Sequence, residues 1–479
     1  MKDFYKMDFE KIHQYSLKIL NEVGMIFHSE KLLSCLEKSG ATINWTNKVA
    51  KFPFSLIEEK ISLQKQQIIN GARQIILSGG VATKPYQGEG GKLGAGALKI
   101  YNYAKKIVEN PTEDDVKNSI IFGHSCSDIK SIGAPLVCDI FRGKKINPDV
   151  LPIVRAYNVA TNTSKLGTNE VDKPWQLKYL IEIGKVLKIS QEAYFDDPCL
   201  ITAKHTLSPL QLDEDACDVL MELAKNNLPA NIIPMPIMGT SSPVTLLGTM
   251  CMVNAEIIAV LAAIKSVKPE AIILGGVMGV NTNMKTGCML FSMPAALKLN
   301  IMMSKMHDEF YGFDFCTGLY GTNSKVLGEE LIFERIFQIA SGFISGMSNF
   351  PVGLFSEGMV FSPELALVEL DFIKSLSRLF SEEYENDFDE VFEVIKETSP
   401  GGTFLDKKHT FMNFKKIFIP EIIKEVINDN KKIKDMFDFA HEKYNSIMKG
   451  TDRFFLQPDK QKAIDKLLIK SFDEAESRK

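Results

Sequence analysis

Hydrophobic positions open the chain at helical spacing. Ile12, Tyr15, Ile19 and Val23 fall on one stripe, and Gly24 can take the left-handed conformation that ends a helix, so this segment predicts a first helix. A shorter helix follows, with Ser29 as candidate N-cap, Leu32, Leu33 and Leu36 on one side, and Gly40 at the stop. From Gln74 to Val108 the period changes. Short β-rich runs (QIILS, ALKIY, KKIV) alternate with Gly-rich turns such as GEGGKLGAG, which predicts a small antiparallel layer.

Beyond Pro111 the chain alternates between short apolar runs and amphipathic helices, the order that implies parallel strands. Strands are expected at SDIKSIGAPL from Ser127, TSKLGT from Thr163, CLITAKHTL from Cys199, ANIIPMPIMG from Ala230 and AIILGGVMG from Ala271. Three more are expected at FDFCTGLYG from Phe313, GMSNFPVGLF from Gly346 and GGTFL from Gly401. A repeat of roughly 35 to 45 residues fits the units of a TIM barrel, so the fold class is α/β, a (β/α)8 barrel. An open doubly wound sheet would give the same alternation, but its G-x-G-x-x-G turn after the first strand is not found in that context. The expected division is N-terminal helices and the small antiparallel layer over 1–112, the barrel over 113–416, and a lysine-rich helical tail over 417–479 packed on it.

Composition changes this picture little and excludes several partners. At 45% hydrophobic and 24% charged, the 479 residues can bury a full core in one large domain with appendages. Fifty-six basic residues stand against 60 acidic ones, interspersed, so a nucleic-acid partner is not expected. The amino terminus has no signal-peptide pattern, and no uncharged apolar run approaches a membrane span, so a cytoplasmic protein is expected. Eight cysteines and seven histidines are scattered, without C-x-x-C or H-E-x-x-H; His124 and Cys126, two apart, are too sparse a pattern to call for a metal.

A barrel places its chemistry on the loops after its strands, so the search narrows to those loops. GTSSPVT follows the fourth expected strand; Ser242 is a candidate N-cap and Pro243 a candidate first helical residue, with Thr240 and Ser241 beside them. Free amides at such a helix start attract anions. The sixth strand carries Phe313, Asp314 and Phe315 and ends at Tyr320, Thr322, Asn323 and Ser324, whereas the seventh ends at Phe355 and Glu357, an aromatic ring beside a carboxylate that suits a cation. His205 follows the third strand and His409 the eighth; with no G-x-S-x-G elbow, neither completes a recognisable triad. Core packing for the aromatics, and plain capping for Ser242, are the bland readings of the same residues.

Several runs together resemble the trimethylamine methyltransferase superfamily, in the pyrrolysine-free branch that is similar to glycine betaine methyltransferases. They are IHQYSLKILNEVGMIFHSEKLLSCLEKSGA, PIMGTSSPVTLLGTMCMVNAEIIA, NTNMKTG, the sixth-strand region into GEELIFERI, and GGTFLDKKHTF; the likeness covers nearly the whole chain. The resemblance implies a (β/α)8 barrel that transfers a methyl group from an amine to the Co(I) corrinoid of a separate carrier protein, with no cofactor bound by this chain. Trimethylamine enzymes place pyrrolysine near the sixth strand, and this chain has only ordinary residues, which points to a quaternary amine such as a betaine.

A quaternary nitrogen leaves as a neutral amine, so the reaction needs orientation and a dry aromatic cage rather than a general acid. Each good ring contributes about 0.5–2 kcal/mol, so several are needed. Tyr320 and Phe355, with Phe313 or Phe315, are the expected cage, with Glu357 beside them. Thr240, Ser241 and Ser242 are expected to take the substrate carboxylate, with His205 and Asn323 as secondary candidates. Two other readings stay open: a barrel lyase or aldolase on a phosphorylated metabolite, using Lys204 or Lys325 as Schiff-base lysine and an anion site near Gly401 and Gly402, and a non-catalytic barrel that only binds a betaine or docks a carrier. A homo-oligomer is expected on general grounds.

Overall fold

The structure is a computed structural model that describes residues 7–67, 90–94, 96–187, 203–312, 315–319, 321–347, 349–380, 387–422, 435–451 and 453–478. It is a helix-rich α/β fold. Among the described residues, parallel pairing runs in two sets of four segments. In the first, Asn349–Pro351 pairs with Gly90–Leu93, which pairs with Ile129–Ile132, and Ile132 bridges to Leu166. In the second, Lys204 bridges to Ile232, Ala230–Ile232 pairs with Ile273–Val277, and that strand pairs with Phe315–Thr317. Seven of these segments lie where the hydrophobic runs predict strands.

The eighth does not. GGTFL is an exposed, irregular stretch, and Gly402 N bonds back to Ser399 O as in a local turn. Its place is taken by Gly90–Leu93, in the run read as Gly-rich turns. The glycines there serve packing: a Cβ at Gly90 would meet Asp128 O at 2.7 Å, and one at Gly91 would meet the Leu370 and Val352 side chains at 2.8 and 2.9 Å. A buried strand squeezed between two others has no room for side chains, and composition alone reads that as a loop.

Side chains span both seams between the two sets. Arg335 donates through Nη1 to Leu319 O (2.6 Å) and through Nη2 to Pro351 O (2.7 Å). Lys204 Nζ donates to Val171 O at 3.0 Å. The expected antiparallel layer is present in part: Lys99–Asn102 pairs antiparallel with Ile107–Glu109, and Val360–Phe361 joins in parallel. The QIILS run lies outside the described residues. An antiparallel group of Met25–Phe27, Thr42–Asn44 and Val49–Lys51 was not foreseen in the pattern.

Helix Leu246–Val267 is long and apolar enough to cross a membrane, yet 83% of its most apolar window is buried inside this fold. Helices Phe9–Glu22, Glu30–Lys38 and Phe54–Gln67 pack over it, so its apolar surface is core. The first helix forms as expected but buries a different face. Tyr15 and Val23 are 52% and 59% exposed, while Ile12, His13, Ser16, Leu17 and Leu20 point inward. Two of those are polar and therefore escape a hydrophobic count. Their polarity is satisfied: Asn254 Nδ2 donates to Ser16 Oγ (2.9 Å) and to Tyr311 Oη (2.8 Å), and His13 Nδ1 lies 2.9 Å from the same tyrosine oxygen. Helix Met436–Lys449 packs on Pro363–Phe380, and Pro458–Ser477 on Pro174–Leu187.

Strand contact is closest at Gly133, where a Cβ would stand 2.2 Å from Thr168 O. Neither partner is a flexible side chain, so relief requires moving backbone. Gly133→Ala is expected to lower unfolding stability by about 2 kcal/mol or more in urea titration; an unchanged midpoint would mean that the strands are not packed this closely.

Candidate functional site

The carboxyl ends of the parallel segments gather the loops expected to carry chemistry. Those after Phe315–Thr317 and Asn349–Pro351 are held by one helix, Glu329–Ile344. Glu334 accepts from Asn323 N (2.6 Å) and Ser324 N (3.2 Å), and Gln338 Nε2 donates to Gly321 O. Arg335, 1% exposed, joins Leu319 O to Pro351 O and forms a buried ion pair through Nε with Glu369. The other Glu369 oxygen accepts from Gly353 N at 2.6 Å. Burial pushes the Glu369 carboxyl up, and the Arg335 charge and these donors work against that shift.

The seventh-strand loop is latched to the sixth. Ser356 N donates to Thr322 Oγ1 (3.1 Å) and Glu357 N to Thr322 O (2.7 Å), while Ser356 and Glu357 both hold positive φ, 51° and 61°. Non-glycine residues in that region store strain, which such cross-loop bonds must hold in place. The Glu357 carboxylate is already paired with Lys325 Nζ at 2.7 Å, so it is not a free counter-charge for a ligand cation.

Phe355 is fully buried, its ring edge-on to Tyr101 at a centroid distance of 6.0 Å. Tyr101 is half-buried and continues an aromatic row through Tyr103 (6.4 Å) to His441 (4.7 Å). Behind it stands Glu364, 2% exposed, with Oε1 2.8 Å from His441 Nδ1. Burial, then the Glu364 charge, raises the Tyr101 hydroxyl above its ordinary range. Phe315 is 3% exposed and packs on the His307 ring at 4.3 Å. Phe313, Asp314 and Tyr320 lie outside the described residues.

His205 sits exposed after Lys204, and its Nδ1 donates to Ile233 O at 2.7 Å, since a carbonyl only accepts. That bond leaves Nε2 as the ring nitrogen turned to other partners. Glu256, wholly buried on helix Leu246–Val267, anchors this loop by accepting from Thr206 Oγ1 (2.5 Å), Ser208 Oγ (2.9 Å) and Leu210 N (2.8 Å).

The helix after GTSSPVT starts at Leu246 with Thr245 as N-cap, so Ser242 and Pro243 are loop rather than cap and first turn. The competing loop geometry wins there: Ser242 O accepts from Gly239 N, Ser241 Oγ accepts from Ile237 N, and Thr240 Oγ1 lies 2.6 Å from Thr282 Oγ1. Asn323 is also engaged, accepting from Phe291 N and donating to Met289 O.

His124 lies 3.1 Å from Thr163 Oγ1, Cys126 is buried, and among the described residues no cluster of three or more His, Cys, Asp or Glu could hold a metal ion. The two Schiff-base lysines are engaged, Lys204 with a carbonyl and Lys325 with Glu357. His409 falls in the exposed 408–413 helix. Sequence reasoning passed over Arg335, Glu369, Glu334, Gln338 and Glu256. Their signal is a charged or amide group on the inward side of an otherwise apolar helix, as in GEELIFERI and ELALVELDF.

The family model for trimethylamine methyltransferase matches residues 2–474. The chain belongs to that family. Within it, the glycine betaine methyltransferase of Desulfitobacterium hafniense (strain Y51) is 23% identical over 424 residues, covering 85% of this chain and 84% of the relative. A trimethylamine methyltransferase of Desulfitobacterium hafniense (strain DSM 10664 / DCB-2) is 20% identical over 455 residues, covering 93% and 88%. One from Methanosarcina mazei is 22% identical over 458 residues, covering 92% and 90%. Among solved structures, the Methanosarcina barkeri monomethylamine methyltransferase overlaps with a TM-score of 0.44 at 12% identity, covering 93% of this chain and 94% of that one.

Within this family member, removing one half of the buried pair leaves a charge stranded in the core. Arg335→Met is expected to destabilise by about 3–5 kcal/mol in urea titration, and Arg335→Met/Glu369→Leu to recover a large part; equal losses in both would contradict a charge-based cause. His307 supplies a pH test. Burial lowers it to about 3 from an ordinary 6.5, so below pH 6.5 the unfolded chain binds a proton that the folded one refuses. Stability from this group is present above 6.5 and lost as pH falls towards 3, by up to about 1.4 kcal/mol per pH unit. His307→Leu is expected to flatten that part of the stability profile; an unaltered slope would rule the residue out as its source.

Proposed function

We propose that this chain moves a methyl group from a betaine-like quaternary ammonium compound to the Co(I) corrinoid of a separate carrier protein. The observation that carries the reading is the aromatic row at the carboxyl ends of the strands, with Phe355 buried behind the half-open ring of Tyr101. The half-open ring of Tyr101, backed edge-on by Phe355 and with the His441-paired carboxylate of Glu364 along the same row, presents a surface suited to a cation that carries no N–H to donate. Family membership, and the glycine betaine methyltransferase among the relatives, support the same reaction class.

The two sets of parallel segments, joined at Arg335 and Lys204, are best read as one closed (β/α)8 barrel, with the division at 112 and 416 as its approximate limits. On this reading the mouth is where the carrier docks. The corrinoid supplies the nucleophile. This chain holds the ammonium head so that one N–CH3 bond lies in line with the attack, and it keeps water out. When the methyl leaves, the nitrogen keeps the bonding pair and becomes a neutral tertiary amine, so no side chain need deliver a proton there. The positive charge on the head falls along the way, so the rings must hold it firmly enough to orient it and no more tightly than the transition state.

Stopped-flow mixing of the chain with a reduced corrinoid protein and a panel of quaternary amines tests this. Loss of the Co(I) spectrum with at least one betaine is expected, and Phe355→Ala is expected to reduce kcat/KM roughly tenfold or more through loss of a ring. No spectral change with any amine would sink the methyltransferase reading, and full activity in Phe355→Ala would sink the cage as placed.

A further inference from the structure

Residues 387–420 form an arm that the rest of the chain leaves in water. Helix Phe388–Thr398 buries only Thr398, the short helix Lys408–Asn413 buries nothing, and no other residue of the arm is buried. Helix Met436–Lys449 packs along Pro363–Phe380, whereas helix Phe388–Thr398 packs closely on no other element. Yet the arm is not polar. Phe388, Val391, Phe392 and Ile395 fall at the i, i+3, i+4, i+7 spacing of an amphipathic helix, and all four are exposed, Phe388 by 85%. Beyond the turn at Gly402, the exposed Leu405, Phe411, Met412 and Ile417 continue the apolar surface.

A helix of 11 residues is marginal in water even when capped, and the cap here, Asp387 accepting from Glu390 N, does nothing for the apolar face. Its stability has to come from a surface that covers that face. Area and charge identify the cover. At roughly 200 Å² per phenylalanine, the rings of Phe388, Phe392, Phe404, Phe411 and Phe414 leave on the order of 600 Å² in water. With the exposed aliphatic side chains the arm passes the roughly 800 Å² per partner that a standard stable interface covers, and it exceeds the apolar patches that monomers ordinarily show.

The two halves of the arm are opposite in sign. Residues 387–398 carry Asp387, Asp389, Glu390, Glu393 and Glu397 against one base, Lys396; residues 407–416 carry Lys407, Lys408, Lys415 and Lys416 and no acid. Within one chain these halves do not pack closely on each other. A two-fold axis lays the acidic half of one copy on the basic half of the other, and does so twice, because both subunits use the same patch. A partner of a single sign would match only half of the arm.

We propose that residues 387–420 are the docking surface for a second copy of this chain, with helix Phe388–Thr398 of each copy laid apolar face down on residues 404–417 of the other. The interface shares no residue with the aromatic row at the mouth, and it stands independently of the methyl-transfer reading.

Sedimentation equilibrium of the full chain at micromolar concentration tests it. The wild-type chain is expected at the mass of two chains or an even multiple of it. Phe388→Asp/Phe392→Asp is expected to weaken association roughly 100-fold or more, as the loss of two aromatic anchors does, with the circular dichroism of the folded chain retained because both rings are exposed in the single copy. Charge reversal separates pairing between copies from any effect within one. Lys407→Glu/Lys408→Glu in one preparation and Glu393→Lys/Glu397→Lys in another are each expected to sediment as single chains. Mixed, they are expected to assemble, since each supplies the opposite charge that the other now lacks. A single-chain mass for the wild type, an assembly that survives Phe388→Asp/Phe392→Asp, or a mixture that stays monomeric would each overturn the proposal.

Discussion

Arg335 holds together what the strand pairing leaves apart. Its guanidinium spends its donors on Leu319 O, on Pro351 O, on Gln338 and on Glu369, whose second oxygen fixes Gly353 N. Two strand ends and the turn beyond them are thereby set at one spacing. Phe355 lies only two residues past Gly353, and Thr322, which latches Ser356 and Glu357, three past Leu319. A buried ion pair is weak evidence for stability as such, because desolvation takes back most of the Coulomb gain. Its use here is register: an apolar pair would fill the space and leave the carbonyls unclaimed.

The same device recurs. Glu256 reaches from an otherwise apolar helix to hold the His205 loop, and Lys265, wholly buried, donates to Ala271 O, Gln67 Oε1 and Pro269 O, with burial lowering its ammonium to about 8. Each buried charge ends on a loop or a strand terminus. The apolar faces supply bulk driving force without direction, whereas these bonds specify where loops sit. A cation site assembled from rings on separate strands depends on that placement, since attraction falls away when a ring is more than about 6 Å from the charge.

Much of this was legible in the sequence. Seven parallel segments follow from apolar runs between amphipathic helices, and the aromatic at 355 from its place past a strand. The strand Gly90–Leu93 was hidden because close packing selected glycine, the residue that also marks turns. The inward face of the first helix was misjudged because His13 and Ser16 are buried by hydrogen bonds rather than by hydrophobicity. Ser-Pro suggested a helix start at 242, but the loop's own hydrogen bonds to Ile237 and Gly239 hold the chain back until Leu246. Arg335 and Glu369 could not be found from spacing, because their partners are brought together by the fold alone.

On the proposed reading, the mouth removes one methyl group from a betaine-like quaternary amine and passes it to a separate carrier. Product analysis reads this most directly: the chain is mixed with a stoichiometric amount of reduced corrinoid protein and glycine betaine labelled in its methyl groups with carbon-13, and the amine products are followed by NMR. One equivalent of dimethylglycine is expected for each cobalt methylated, none when either protein is omitted, and little turnover of trimethylamine under the same conditions. Demethylation of trimethylamine at the same rate, or no tertiary amine formed from any betaine, would contradict that reading.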